Sequence, residues 1–307
     1  MGVPSLLKSA SVAALLVGAS EAANIIQAND DGWAELYLRS FHNAMIADGH
    51  DAVVSAPGSD LSGSGSLNTT PTDRILACEY DSCPADTLTP TGTNASDTRL
   101  NWVNSFPATS MEYGINEFGP GIWGAGTVPD LAVAGPNVGS NIGFIQVEGS
   151  GTVGATCYAV DQGIPAIAFS GITTGNLAWD TEPVPLRSTL YAELALEVTN
   201  AVLAAGTPYL PDDVFLNVNM AAVEGNCTDT SAFSYILTRI NTPSILSTSD
   251  TPTCGDTWLP TETSVMDDGG CYVSISVGTC SDKTDASAAD QLTVLNKLSG
   301  LLSCLPA

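Results

Sequence analysis

Apolar and polar positions follow two periods along this chain, and these periods predict strands that alternate with helices. Residues 24–28 form a short apolar run of strand length, and the polar stretch 29–32 follows directly. From Trp33 the apolar residues recur at helical spacing until Gly49 closes the segment. Residues 51–57 form a second apolar run. Together these segments predict one right-handed βαβ unit at the start of the fold.

The same alternation continues through the rest of the chain. Three further strands are predicted, at residues 130–137, 163–170 and 214–219. Three further helices are predicted, one ending at about Gln162, one from about Pro185 to Ala205, and one from about Ala286 to Leu302. Strands that alternate with helices imply a mostly parallel sheet with helices on both faces, so we expect an α/β fold.

Three stretches interrupt this pattern. Residues 58–66 are rich in Gly and Ser and predict a loop at the sheet edge that carries Asp30 and Asp31, with a flexible linker as the alternative. Residues 78–105 show little periodicity and predict an exposed excursion. Residues 220–282 contain four cysteines and short mixed strands. We therefore expect an atypical, cysteine-bearing C-terminal extension of the α/β fold.

Composition limits the classes of partner. The chain has 33 acidic and 8 basic residues and a formal net charge of -25, so we expect no binding to polymeric nucleic acid. A small phosphorylated substrate is compatible with this charge if a metal ion or a helix N-terminus supplies local positive charge. No stretch approaches the roughly 18 consecutive apolar residues of a membrane span, so we expect no membrane partner.

Residues 1–22 have the features of a secretory signal peptide. Lys8 precedes an apolar run at residues 10–19, and small residues flank the expected cleavage site. We therefore expect a secreted, extracellular protein whose residues 23–307 form one domain. Three Asn-X-Ser/Thr sequons fit a glycosylated surface, at Asn68, Asn94 and Asn226.

Secretion makes the eight cysteines candidates for disulfides. The short interval between Cys78 and Cys83 predicts that these two pair with each other. Cys157 falls in a predicted core helix, where two interpretations stay open, a buried free thiol and a partner for a distant cysteine. The other pairings are not assigned by the sequence.

Polar residues at the ends of the predicted strands supply the candidate chemistry. Asp30 and Asp31 follow the first strand, Ser62 lies in the loop after the second, and Asn137 ends a later one. Ligands bind at the carboxyl ends of the strands in open α/β sheets, so we expect these four side chains to form one site. Their oxygen atoms suit Mg²⁺, Mn²⁺ or Ca²⁺. The alternative for Asp30 and Asp31 is a plain surface turn.

A glycine-rich stretch offers a second candidate site. Residues 149–154 satisfy the G-x-G-x-x-G dinucleotide pattern, but they do not follow the first strand and residues 165–178 contain no acid. A nicotinamide oxidoreductase is therefore only an alternative. Small residues that open a helix leave backbone N–H groups free for a phosphate, which makes Ser150, Gly151 and Thr152 candidate phosphate-binding residues.

Other catalytic classes lack the residues that they need. The chain has two histidines, His42 and His50, both assigned to the first helix or its end. Histidine phosphatase, zinc-protease and Ser-His-Asp mechanisms are therefore disfavoured. The sequence contains neither a G-x-S-x-G elbow nor a P-loop motif.

Four stretches of the chain form an ordered set of motifs. They are Asn29-Asp30-Asp31-Gly32, Ala56-Pro57 with Ser62-Gly63, residues 134–143 and residues 150–155. In order and spacing they resemble the SurE family, the survival-protein phosphatases that are also called 5'/3'-nucleotidases, and residues 216–219 and 272–275 look like that family's later strands. The resemblance spans about residues 24–280. Pro136 and residues 58–61 depart from the commoner family pattern, which leaves the substrate preference open.

The resemblance implies a three-layer, Rossmann-like domain and a metal-dependent phosphatase acting on nucleoside monophosphates or other small phosphorylated substrates. It implies that the metal is held by Asp30, Asp31, Ser62 and Asn137. Asn141, in the same motif as Asn137, joins the phosphate-binding candidates. Either aspartate is a candidate base or nucleophile. Family members are often dimers or larger assemblies, so the resemblance implies a possible homodimer. The alternative from another class is a secreted SurE-fold protein that binds but does not turn over a substrate.

Overall fold

The structure, a computed structural model, describes residues 22–86, 88–245 and 247–306. Apart from Ala22, the predicted signal peptide lies outside the described residues. The strands are β1 Asn24–Ala28, β2 Asp51–Pro57, β3 Thr91–Asn94, β4 Asp97–Val103, β5 Leu131–Val138, β6 Ala166–Gly171, β7 Val214–Met220, β8 Ser234–Thr238, β9 Tyr272–Thr279 and β10 Leu302–Ser303. The α-helices are α1 Leu36–Ala47, α2 Pro107–Tyr113, α3 Gly119–Trp123, α4 Gly143–Gly149, α5 Gly151–Asp161, α6 Leu186–Ala204, α7 Glu262–Asp267 and α8 Ala288–Lys297.

All described strands join one sheet, in the order β10-β8-β9-β7-β6-β5-β1-β2-β4-β3. The six strands from β4 to β7 in this order are mutually parallel. The carboxyl ends of these strands therefore lie at one edge, where α/β proteins bind ligands. β9 runs antiparallel to β7, and β8 and β10 continue the sheet beyond it. The cysteine-bearing C-terminal region thus extends the sheet, and the predicted α/β fold class is confirmed.

Alternate residues of β1 show how the sheet is covered on both faces. Ile25 belongs to the buried cluster that contains Tyr37 of α1 and Leu190 of α6. Ile26 points to the other face and packs in the cluster that contains Met111 of α2. Side chains of a strand alternate between faces, so a continuous apolar run such as 24–28 requires a helix layer on each side.

The predicted βαβ unit is confirmed. Residues 24–28 and 51–57 form β1 and β2, which pair in parallel. The helix between them begins at Leu36 rather than Trp33, because Glu35 occupies the N-cap and its carboxylate accepts hydrogen bonds from the backbone N–H groups of Tyr37 and Leu38.

The prediction of an exposed excursion at 78–105 is wrong for residues 97–103, although many of the described residues between 84 and 96 are exposed. Residues 97–103 form β4, which pairs in parallel with β2, and Leu100 and Trp102 are buried. Polar residues such as Asn101, which is also buried, mask the strand pattern in the sequence. Asn101 donates from Nδ2 to the backbone oxygen of Val54 at 3.1 Å, which satisfies its polar group inside the sheet.

Two other segments differ from the sequence prediction. The last helix spans Ala288–Lys297 only, and Leu302 belongs to β10 instead. Residues 107–123, for which no element was predicted, form α2, a π-helical turn at Gly114–Phe118, and α3. None of the helices in the described ranges is long and apolar enough to cross a membrane.

Four disulfides link all eight cysteines. The predicted Cys78–Cys83 bond is confirmed. Cys157 pairs with Cys280, across a sequence separation of 123, which decides between its two interpretations. The two remaining bonds are Cys227–Cys271 and Cys254–Cys304. Three of the four bonds therefore tie the C-terminal region to itself or to α5.

We predict unequal effects when two of these disulfides are removed. Replacing Cys157 and Cys280 with Ala should lower the free energy of unfolding by about 4 to 5 kcal/mol, because this bond closes the longest loop. Replacing Cys78 and Cys83, separated by 5 residues, should lower it by only about 2 kcal/mol. Denaturant unfolding of both double variants measures the difference, and equal losses would contradict the loop-closure explanation.

Candidate active site

Asp30 lies just beyond the carboxyl end of β1, and its side chain is bound to the first turn of α5. Its carboxylate accepts hydrogen bonds from the hydroxyl of Thr152 at 2.6 Å and from the backbone N–H of Thr152 at 3.1 Å. Asp30 is only 2% exposed. The helix N-terminus and the hydroxyl therefore fix the position of this carboxylate.

Asp31 points towards the neighbouring strand end. Its Oδ2 accepts a hydrogen bond from the backbone N–H of Val138 at 2.9 Å, and its Oδ1 accepts one from Nδ2 of Asn176 at 3.3 Å. Asp31 is 1% exposed. The alternative that Asp30 and Asp31 form an exposed surface turn is therefore wrong.

The loop 58–66 lies against both β1 and α5. The backbone N–H of Leu61 donates to the backbone oxygen of Asp30 at 2.8 Å, and that of Gly65 donates to the backbone oxygen of Gly149 at 3.0 Å. A Cβ atom at Gly154 would lie 2.0 Å from the oxygen of Gly65, so glycine is required for this approach. The predicted loop and its place at this edge are confirmed.

Ser62 and Asn137 lie in segments that directly contact the two aspartates. The Ser62 side chain is exposed, and its hydroxyl donates to Oδ1 of Asp60 at 2.6 Å. Asn137 is 9% exposed, and its Nδ2 donates to the backbone oxygen of Gly139 at 2.8 Å, which leaves its carbonyl oxygen as the available ligand atom. Backbone contacts thus bring together the three chain segments that carry the predicted metal ligands.

Burial dominates the electrostatics of the two aspartates. It raises the pKa of Asp30 above its ordinary value, although the hydrogen bonds from Thr152 lower it. The pKa of Asp31 is raised well above its ordinary value, first by burial and then by the negative charges of Asp30 and Glu35. Two adjacent buried carboxylates therefore repel each other, and a cation beside them would relieve that repulsion.

The phosphate-binding candidates at the start of α5 have different partners. Ser150 is the N-cap, and its hydroxyl oxygen accepts from the backbone N–H of Val153 at 3.2 Å. Gly151 has no room for a Cβ atom, which would lie 2.6 Å from the hydroxyl oxygen of Ser64. Thr152 differs from the expectation, because its backbone N–H is bound to Asp30 and is not free for a phosphate.

Asn141 is held by hydrogen bonds on both its backbone and its side chain. Its backbone N–H donates to Oδ1 of Asn219 at 2.9 Å, and its Nδ2 donates to the hydroxyl oxygen of Ser170 at 2.9 Å. It is 6% exposed. Asn141 therefore lies at the carboxyl ends of β6 and β7, beside the strand end that carries Asn137.

Two residues near the aspartates were not identified from the sequence. Glu35 is fully buried, and burial raises its pKa to about 7. Asn176, which binds Asp31, lies in a segment between β6 and α6 that has no motif. Glu has no special preference for N-caps, so local sequence gives no signal for Glu35. Asn176 reaches the site through a contact that is distant in sequence, whereas Glu35 lies close to Asp31 along the chain and its charge raises the pKa of that residue.

The histidines take no part in the site. Burial lowers the pKa of His42 to about 4, so that this side chain is uncharged at neutral pH. The ring of His50 lies within hydrogen-bond distance of the backbone N–H of Ala23 and of Oδ1 of Asn200.

The donor set decides what kind of ion fits here. Within the described ranges, no group of three or more His, Cys, Asp or Glu side chains is arranged to hold a metal. A cation beside Asp30 and Asp31 would therefore also need neutral oxygens, which Asn137 and Ser62 offer. Hard divalent cations accept such mixed oxygen ligands. The fold and site define an α/β protein with an acidic, oxygen-rich site at the carboxyl edge of a parallel sheet.

Comparisons with known proteins identify the family. The model of the family described as survival protein SurE matches residues 25–243. An acid phosphatase of Yarrowia lipolytica is 30% identical over 310 residues, which cover 92% of this chain and 86% of that protein. A 5'-nucleotidase SurE of Methanocorpusculum labreanum is 38% identical over 109 residues, 34% of this chain and 41% of that protein. The chain belongs to the SurE family.

A solved structure supports the same fold. The crystal structure of the SurE protein from Aquifex aeolicus matches with a TM-score of 0.57 at 21% sequence identity. The match covers 90% of this chain and 99% of that chain. At this identity the likeness speaks for the fold alone.

We predict that neutralising Asp31 stabilises the metal-free protein. The raised pKa means that the folded state binds more protons than the unfolded state, so stability falls as pH rises from about 4 through the folded pKa. With chelator present at pH 7, Asp31→Asn should raise the free energy of unfolding by about 1 kcal/mol or more, and the difference should shrink at pH 4.

Denaturant unfolding at both pH values measures this effect. Glu117→Gln, at an exposed position, is the matched control and should change stability by less than about 0.5 kcal/mol. A loss of stability in chelated Asp31→Asn at pH 7 would contradict the proposed repulsion.

Proposed function

We propose that this chain hydrolyses small phosphate monoesters, such as nucleoside monophosphates, at a site that holds one divalent cation between Asp30, Asp31, Ser62 and Asn137. The observation that carries this proposal is the pair of adjacent, buried aspartates at the carboxyl end of β1. Buried carboxylates are retained against their repulsion where they bind a cation.

The reaction class rests on the relatives. Family membership, together with relatives named acid phosphatase and 5'-nucleotidase SurE, makes this chain a phosphoric monoester hydrolase. The metal dependence and the substrate are the parts that we propose. When bound, Mg²⁺, Mn²⁺ or Ca²⁺ supplies positive charge beside the phosphoryl oxygens.

The residues of the chain hold their positions before any substrate arrives. Thr152 fixes the Asp30 carboxylate through two hydrogen bonds, and Val138 fixes that of Asp31. Such preorganisation is the main source of catalysis in phosphoryl transfer. Either aspartate can accept a proton from the attacking water. The helix N-terminus at Ser150 and Gly151 would face the phosphoryl oxygens, together with the second N–H of the Asn141 side-chain amide, whose other N–H donates to Ser170.

Two alternative functions are supported less well than phosphate-ester hydrolysis. A nicotinamide oxidoreductase needs glycines in the first βα turn, where this chain has Asp30 and Asp31 instead. A SurE-fold binding protein without turnover would keep the aspartates buried but would show no hydrolysis. The activities named for the relatives disfavour this second alternative, and the activity measurement below tests it.

The cellular setting is also part of the proposal. Residues 1–22 predict secretion, and the four disulfides support an oxidising, extracellular destination. We further propose a homodimer, without a membrane partner and without a nucleic-acid partner, the last because the net charge of -25 repels polyanions.

We predict that Asp30→Asn lowers hydrolysis of p-nitrophenyl phosphate by about 100-fold or more, because a charged ligand is lost and Lewis-acid assistance is worth several kcal/mol. Asn137→Ala should have a smaller effect, about tenfold, since a water can replace a neutral ligand. Chelation should abolish turnover, and added Mg²⁺ or Mn²⁺ should restore it.

Asp130→Asn is the matched control. Its carboxylate also accepts a backbone hydrogen bond, from the N–H of Asn24 at 2.8 Å, but it lies at the opposite edge of the sheet. This variant should stay within about twofold of the wild type. Wild-type turnover that persists in chelator, or Asp30→Asn activity near that of the wild type, would refute the proposed metal site.

A further inference from the structure

Glu262 is a fully buried carboxylate outside the cluster of proposed metal ligands. It opens α7, and its Oε1 accepts a hydrogen bond from the backbone N–H of Gly143 at 2.7 Å. Its Oε2 accepts from Nδ2 of Asn217 and from the hydroxyl of Ser276, both at 2.9 Å. One side chain thus joins the 139–143 loop to the central strand β7 and to β9.

A short relay connects Glu262 to Asn141. Nδ2 of Asn217 donates to Glu262 and also to the backbone oxygen of Asn141, at 2.8 Å. Asn219 makes two further hydrogen bonds to Asn141. Its Nδ2 donates to the backbone oxygen of Asn141 at 3.1 Å, and its Oδ1 accepts a hydrogen bond from the backbone N–H of Asn141. The peptide groups of Asn141 are therefore fixed by two asparagines, one of which Glu262 orients.

The relay requires an acceptor at position 262. Three hydrogen-bond donors, from Gly143, Asn217 and Ser276, point at the side chain of Glu262. An ionised carboxylate only accepts hydrogen bonds, whereas the amide of Gln, a side chain of the same size, also donates them. Burial raises the pKa of Glu262 to about 7, while the hydrogen bonds from Gly143, Ser276 and Asn217 lower it. Buried networks of this kind fix one arrangement when every partner is satisfied.

We propose that Glu262 is a positioning residue, which acts through Asn217 to hold Asn141 in the orientation that receives the phosphoryl group. The inference rests on the proposed function, since it takes Asn141 as a phosphate-binding residue. Glu262 lies beyond residues 25–243, the part of the chain that the family model matches, so that match assigns it no role.

Replacing Glu262 with Gln is the direct test. Gln would place an N–H₂ group against at least one of the three donors. If that N–H₂ group faces Asn217, the side-chain amide of Asn217 must turn over. The Oδ1 atom of Asn217, which is buried without a hydrogen-bond partner, would then accept a hydrogen bond from the introduced Gln side chain. The bond from Asn217 to Asn141 would be lost.

We predict that Glu262→Gln lowers kcat/KM for p-nitrophenyl phosphate by about tenfold or more and weakens inhibition by inorganic phosphate in similar proportion. Glu197→Gln is the matched control, because Glu197 accepts a hydrogen bond from the hydroxyl of Tyr235 at 2.6 Å, away from the active site. It should leave both constants within about twofold. Asn217→Ala breaks the relay on its other side and should reproduce the loss if Glu262→Gln does not fold.

A double-variant cycle separates positioning from general destabilisation. If Glu262 acts through Asn141, adding Glu262→Gln to Asn141→Ala should change kcat/KM by less than about twofold. The inference would be overturned if the two substitutions lowered kcat/KM by factors that simply multiply in the double variant. It would also be overturned if Glu262→Gln kept the wild-type kcat/KM and phosphate inhibition.

Wild-type protein without turnover would instead count against the proposed function. In that case, the role of Glu262 is tested by the rise in melting temperature that inorganic phosphate causes in wild type and in Glu262→Gln. An equal rise in the two proteins would overturn the role of Glu262.

Discussion

The burial of two adjacent carboxylates, Asp30 and Asp31, is the constraint on which the rest of the site depends. Each is only 1–2% exposed, burial raises the pKa of both, and the negative charge of Asp30 raises that of Asp31 further. A fold keeps such an arrangement only if other groups hold the charges in place. Here Thr152 and Val138 supply that support from α5 and β5. The unfavourable charge pair is therefore an argument for a cation, and it links the stability of the chain to its chemistry.

The parallel sheet explains why residues from distant segments reach this pair. Strands β1, β2 and β5 are neighbours with their carboxyl ends at one edge, so that the segments after them converge. Glycines allow the close approaches, as at Gly154, which leaves room for the loop 58–66. The C-terminal region takes part too, because Glu262 reaches the 139–143 loop from α7. The site is thus assembled from the whole sheet edge.

Much of this organisation was predictable from sequence, because the decisive signals are local. The apolar run before Asp30, the helical period after it and the short interval between two cysteines each report on neighbouring residues. β4 was missed because polar residues such as Asn101 interrupt its pattern, and Asn101 finds hydrogen-bond partners on the neighbouring strands, at Val54 of β2 and Thr93 of β3. Glu35, Asn176 and Glu262 were missed for a related reason, since their roles depend on partners far away in the chain.

The position of the cation can be measured in crystals grown with Mn²⁺ and phosphate, where Mn²⁺ gives a peak in an anomalous difference map. We expect one peak within about 2.6 Å of oxygen atoms of Asp30, Asp31, Ser62 and Asn137, with phosphate beside it. A peak that contacts neither aspartate, or the absence of any peak at this edge of the sheet at saturating Mn²⁺, would contradict the proposed metal site.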